Sequence, residues 1–262
     1  MTIAFAALTF VLTWSAWLAS TQFDLPPLSG PGGLVFLLGV FGPAIVALGL
    51  SFYSRGRAGV RDLLRPISVW SINPWWYVAA LLYMPVLKFS AAAGYRIWTG
   101  AWLPFGDVSP LLIAGAIAIS TWVQAGEEIG WRGFLLPRLQ ARVGLRWASI
   151  LVGGIWAVWH LPLFFIAGTD STGQPFPLYT LYVTALSVAM AWAFWRTGSL
   201  FLVMFMHAAV NNTAGIVPVA VADARDPWTW NATVGGWITI AVAWAIAAVI
   251  LVAMPVEGRR AG

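Results

Sequence analysis

Apolar residues run along this chain in blocks of about 18–25, the length at which a helix crosses the hydrocarbon core of a bilayer. The blocks fall near residues 3–20, 33–53, 75–94, 110–136, 147–167, 178–196, 199–219 and 234–254. They predict an all-α fold: a polytopic membrane helix bundle of about eight transmembrane helices, forming a single integral membrane domain over 1–262. The fourth block is long and charged in its second half, so its helix is expected to continue past the bilayer edge. Residues 56–68, with Arg57, Val60, Leu63 and Leu64, read as a short helix lying at the interface, basic on one face and apolar on the other. No internal repeat or low-complexity segment interrupts the pattern. The first block lacks a basic region before it and ends in Leu18-Ala19-Ser20, a poor cleavage site, so we expect a retained span rather than a signal peptide.

Composition strengthens the membrane reading. The 262 residues are 60% hydrophobic and 9% charged, against about 25% charged in soluble domains, and mean hydropathy is +0.82. A chain this apolar cannot cover a water-facing surface. It contains no cysteine, which excludes disulfides, thiolate metal sites and cysteine nucleophiles. The net charge of +5 is distributed through loops with no dense basic run, so nucleic acid is not expected as a partner. Loop charge instead reports topology. Arg55, Arg57, Arg61, Arg65, Arg138, Arg142, Arg146, Arg196, Arg259 and Arg260 fall on one side if the spans alternate. Arg96 and Arg225 fall on the other, with Asp24, Asp107, Asp170, Asp223 and Asp226. The positive-inside rule then places both termini in the cytoplasm of a multi-pass cell-membrane protein.

Ionisable residues inside spans are costly, by roughly 2.5–3.5 kcal/mol each on insertion scales, and mark functional sites. They concentrate in three blocks: Gln124-Ala125-Gly126-Glu127-Glu128-Ile129-Gly130-Trp131-Arg132, Trp156-Ala157-Val158-Trp159-His160, and His207-Ala208-Ala209-Val210-Asn211. His160 and His207 are the chain's 2 histidines. Glu128 and Arg132, four apart, share a helix face and are expected to pair as structural support. Glu127 is rotated by about 100° and stays free for acid–base work. His207 and Asn211 also share a face. At about 1.5 Å per residue, Glu127 lies roughly 16 Å from Arg138, His160 about 21 Å from Arg146 and His207 about 12 Å from Ser199. Three helices of alternating direction thus carry their polar groups to one layer, as a shared site requires.

The surrounding residues have simpler readings. Gly126, Gly130, Gly133, Gly153 and Gly154 suit close helix packing. Lys88, taken to sit near the outer end of the third block, is expected to snorkel. Most of the 18 tryptophans suit interfacial anchoring. Trp131, Trp156 and Trp159 flank the polar residues and either wall a substrate cavity or pack the core. Asn231-Ala232-Thr233 fits a glycosylation acceptor, a pattern common by chance.

These motifs resemble those of the type II CAAX prenyl endopeptidases and their bacterial relatives, the CAAX protease and bacteriocin-processing family of intramembrane proteases. That family carries Glu-Glu-x-x-x-Arg, aromatic-x-x-x-His and His-x-x-x-Asn on separate membrane helices, matched here by Glu127 to Arg132, Trp156 to His160 and His207 to Asn211. Trp156 stands where Phe is usual and retains the aromatic bulk. The resemblance implies an eight-helix hydrolase with a protease core over about 110–219, cutting near the C-terminus of a membrane-associated, sometimes prenylated, protein or peptide. It implies Glu127 as base, assisted by His160, with His207 and Asn211 holding the oxyanion.

Glu127, His160 and His207 also form the Glu-plus-two-His set that catalytic zinc uses. A metal held by all three would consume the base, and the soluble pattern His-Glu-x-x-His is absent. We therefore expect a glutamate-activated water without an obligatory metal, zinc or another divalent ion being the alternative. A non-catalytic role, as a bacteriocin immunity or partner-binding factor, competes. Loss of Glu127 or a histidine would favour it, and all are present. A transporter would be expected to show two related halves, and none is evident.

Overall fold

The computed structural model describes residues 1–23, 29–103, 105–172, 174–216 and 230–255, with backbone alone for 230–233. The expectations for Asp24, Asp223, Arg225, Asp226, Arg259 and Arg260, for residues 217–219, and for the side chains of Asn231-Ala232-Thr233 lie outside these residues.

The described residues form helices and no strands. Helix α1 spans Thr2–Ser20, α2 Gly30–Val40, α3 Gly42–Leu64, α4 Trp75–Thr99 and α5 Pro110–Val123. Next in the chain are α6 Ala125–Glu128, a π-helical segment Ile129–Leu135, α7 Leu136–Trp159, α8 Phe176–Thr197, α9 Leu200–Thr213 and α10 Trp230–Ala253. The protein is a polytopic all-α bundle with large apolar side chains, such as Ile3, Leu111, Phe165 and Val252, exposed on its outside, where lipid takes the place of water.

Five helical units among the described residues are long and apolar enough to cross a bilayer, or six when a bent pair is taken as one span. Each predicted block has a helical counterpart, with two differences of shape. The second block is that pair: α2 and α3 meet at Phe41 and bend by 49°, because Pro43 cannot continue an incoming helix's hydrogen bonding. The seventh block, α9, has 14 residues and one further 3₁₀ turn, Ala214–Ile216, shorter than a full crossing.

The fourth and fifth blocks follow each other without an intervening loop over Pro110–Trp159, and the helix is broken at Gly144. Its φ of 75° and ψ of 165° suit glycine, which lacks the Cβ that strains positive φ. The chain doubles back there. Arg142 Nη1 donates to Thr2 Oγ1 at the start of α1, and further along α1 the Trp17 ring packs on Trp159. Trp131 and Trp159, on opposite sides of the turn, lie with centroids 5.8 Å apart. Arg146 donates to the carbonyls of Val252 and Met254 at the end of α10. The first residues of α1, the last turn of α10 and the Gly144 turn therefore share one end of the bundle.

The 56–68 helix exists as the arm of α3 beyond a kink at Gly56, where φ is 57°, followed by a 3₁₀ turn Arg65–Ser68. Arg55 and Asp62 form a 2.8 Å ion pair across the kink. Between α8 and α9 the chain turns through Gly198 at φ 64° and Ser199, whose hydroxyl caps α9 by accepting from the Leu202 amide at 3.0 Å.

Candidate active site

The polar residues of the three motifs come from α6 with the π-helical segment, from the end of α7, and from the middle of α9. A π-helical turn widens the helix and recurs at functional sites; here it spans Ile129–Leu135, directly after Glu127 and Glu128. Glycines seat this segment against the α2–α3 corner. A Cβ at Gly126 would meet Val40 O at 3.0 Å, and one at Gly130 would lie 2.5 Å from Pro43 Cβ. Gly153 lets α7 approach α8, since its Cβ would sit 2.7 Å from Thr184 Cα. Gly133 is in looser contact, with Leu63 Cδ1 at 3.2 Å, and Gly154 faces open space, so only part of the glycine set serves close packing.

Glu128 and Arg132 pair as the spacing predicts, with Nη1 and Oε1 2.9 Å apart and both side chains at 0% exposure. The guanidinium also contacts Met190 Sδ at 3.3 Å and lies 4.3 Å from the centroid of the Trp156 ring. The pair is not isolated, because the same Oε1 receives His207 Nδ1 at 2.8 Å. Glu128 therefore orients a motif histidine as well as compensating Arg132, a link that spacing within one helix cannot reveal.

Glu127 is rotated away from that pair. Its Oε2 accepts a 2.7 Å hydrogen bond from Trp156 Nε1 and lies 4.0 Å from His160 Nε2. His160 Nδ1 is 2.8 Å from Trp156 O. A carbonyl can only accept, so Nδ1 carries the proton and Nε2 of the neutral ring presents a lone pair. Two acceptors thus face each other across a gap too long for a direct hydrogen bond.

All three flanking tryptophans are buried. Trp156 stands edge-on to His207 at 5.1 Å besides donating to Glu127. Trp159 stands edge-on to His160 at 4.6 Å, and Trp131 packs on Phe5 and Trp159. Tyr179 of α8, which no sequence signal singled out, closes the other side of His160 at 5.4 Å. Asn211 is exposed and its side chain makes no hydrogen bond among the described residues, so the fold does not itself draw it against the histidines. Its neighbour Asn212 is engaged, donating to Ser120 Oγ at 2.7 Å and to Ala208 O at 2.8 Å.

Lys88 departs from expectation. Helix α4 continues to Thr99, beyond the predicted end at 94, which sets Lys88 eleven residues inside the helix. It is 8% exposed, with its stem packed inside the bundle.

No three His, Asp or Glu side chains converge as a metal site among the described residues. Glu127 and His160 face each other, whereas His207 is turned onto Glu128, so the Glu-plus-two-His set does not fit a common ion in this arrangement.

Comparison with known proteins bears on the same residues. A family model described as "Type II CAAX prenyl endopeptidase Rce1-like" matches residues 109–213. A curated relative, "CAAX prenyl protease 2" of Methanococcus maripaludis, is 30% identical over 172 residues, which cover 60% of each chain. The chain thus spans about 60% of the length of the relative it matches. The matched region contains every motif residue from Glu127 to Asn211, so the site-bearing part of the chain is similar to the Rce1-like type II CAAX prenyl endopeptidases.

Proposed function

We propose that the protein is an intramembrane endopeptidase that hydrolyses a peptide bond near the C-terminus of a membrane-associated protein or peptide. The observation that carries this reading is the facing pair of acceptors, Glu127 Oε2 and His160 Nε2, 4.0 Å apart. A water molecule has two O–H donors and fits between two acceptors at that separation with hydrogen bonds of about 2.8 Å to each. Held so, it turns its lone pairs away from both groups and toward a substrate carbonyl.

The chemistry rests on the groups present. The water oxygen bonds to the carbonyl carbon as one of its protons passes to Glu127. The resulting oxyanion accepts from His207, whose Nε2 is the polar atom left once Nδ1 is held by Glu128, and from the Asn211 amide. Nε2 donates when the ring carries both protons. Glu127 then delivers its proton to the leaving nitrogen as the C–N bond breaks. Every polar group has a task without a metal, and the divergent aim of the three possible ligands supports a mechanism with no obligatory ion. The names of the matching family and relative support a prenylated CAAX-type substrate, and the buried aromatic wall suits an apolar chain. The arginine sorting supports cytoplasmic termini in a cell membrane.

The test is hydrolysis of an S-farnesyl CAAX peptide by the purified full chain in detergent. We expect cleavage by the wild type and none by Glu127→Gln at unchanged thermal stability. Equal activity of the two proteins, or none in either beside tight capture of an intact peptide, would favour the partner-binding alternative.

A further inference from the structure

Lys88 is a buried basic residue inside the bundle with no ion pair among the described residues. It belongs to the buried stripe of α4 that includes Ala80, Tyr83, Met84, Leu87, Ala91 and Ala92. Its ammonium has no hydrogen bond or ion pair among the described residues, yet is not one of the sealed, partnerless atoms. The ammonium therefore keeps some accessible area while the rest of the side chain is buried. On the same stripe Tyr83 Oη is buried without a hydrogen-bond partner. Helical membrane proteins place such a charge toward a partner, a cavity or a substrate path, and the described residues supply no partner.

Two contacts fix its level. The Tyr182 hydroxyl of α8 reaches Met84 Sδ at 3.7 Å, and Tyr179, three residues earlier on α8, packs on His160. Lys88 lies one turn beyond Met84, about 6 Å along the axis. Along α9 the register runs from Tyr77 beside Phe205 to the Ala92 and Leu103 cluster on which Ile216, just past α9, packs, which brings Lys88 close to the level of the turn holding Asn211. The charge thus sits next to the catalytic layer, displaced toward the end of the bundle opposite the Gly144 turn.

We propose that Lys88 is a specificity-determining residue that receives the free C-terminal carboxylate of the peptide substrate. This rests on the endopeptidase reading. An extended peptide advances about 3.3 Å per residue, so a tail of roughly two to four residues beyond the scissile bond spans a gap of one to two helical turns and the lysine side chain. A compact ammonium in an apolar site selects a carboxylate over an amide, because only the carboxylate neutralises it.

The probe is an S-farnesyl peptide with three residues after the cysteine, prepared as the free acid and as the C-terminal carboxamide. The wild type is expected to prefer the acid by about 10- to 100-fold in kcat/KM, mainly through KM, as a charge-assisted hydrogen bond would provide. In Lys88→Met and Lys88→Gln the acid-to-amide ratio falls toward one, and Lys88→Arg restores most of it. A purely structural lysine would slow both peptides alike with the ratio intact, and that result overturns the proposal. So does a wild-type preference that collapses in phosphatidylglycerol nanodiscs but not in phosphatidylcholine ones, which would assign the lysine to an anionic lipid headgroup. If the wild type cleaves neither peptide, the endopeptidase reading fails separately. Fluorescence anisotropy of the same two peptides then decides for Lys88, with equal binding of acid and amide counting against it.

Discussion

Replacing Glu128 by Gln tests the architecture most directly. The substitution keeps shape and removes one charge from a cluster that has no exposure: Arg132 and Glu128 are both at 0%. Arg132 would keep a neutral amide oxygen at position 128, Met190 Sδ and the Trp156 ring, a buried cation without its directly bonded counter-charge. Breaking a buried pair in this way costs about 3–5 kcal/mol, a large share of the roughly 5–15 kcal/mol that holds a typical domain together. At about 2–4 °C per kcal/mol for a chain of this size, apparent Tm should fall by roughly 6–20 °C. The double variant Glu128→Gln/Arg132→Met removes the stranded charge and should recover most of that loss, because an apolar pair of similar volume is often as stable as a buried ion pair. Activity should not recover fully with it, since a neutral amide oxygen anchors His207 Nδ1 more weakly than the carboxylate that now lies 2.8 Å away. Tryptophan-fluorescence melting in detergent, paired with peptide hydrolysis, reads both quantities. A wild-type Tm in Glu128→Gln, or full activity in the double variant, would refute this account of Glu128.

Asn211→Ala should lower kcat by about 10²–10³-fold with little change in KM if its amide holds the oxyanion, whereas Asn212→Ala, which breaks the bond to Ser120, should lower stability by about 1 kcal/mol and leave kcat near wild type; steady-state kinetics and melting separate the two. Gly130→Ala drives a Cβ to 2.5 Å from Pro43 Cβ and should cost about 1–3 kcal/mol, while Gly154→Ala meets nothing and should be neutral or stabilising by up to about 1 kcal/mol. Reporter fusions in the 54–74 and 168–177 loops should mark opposite sides of the membrane, with the first cytoplasmic. Active purified protein should lack near-stoichiometric zinc and retain activity after chelation; loss on chelation with recovery on zinc add-back would make Glu127 a ligand.

One-dimensional periodicity and the cost of burying charge are the two properties through which the sequence by itself determined this protein. Blocks of bilayer length dictated helices, and intramembrane Glu127, Glu128, Arg132, His160 and His207 marked a common site because lipid does not tolerate them. The i, i+4 pairing of Glu128 with Arg132 was legible because it lies within one helix. Only the tertiary structure decided which groups from different helices meet. Glu128 reaches His207 across 79 positions of sequence, and Trp156 is a donor to Glu127 rather than only a wall. Neither is encoded in spacing, since both depend on how far the Gly144 turn and the α2–α3 bend rotate one helix against another. The same holds for Lys88. Its depth was misjudged because an apolar block has no sharp end, and α4 runs on to Thr99 through residues that hydropathy alone does not assign. Local pattern sets the elements, whereas the distance between two side chains on different helices is set by the packing of every residue between them.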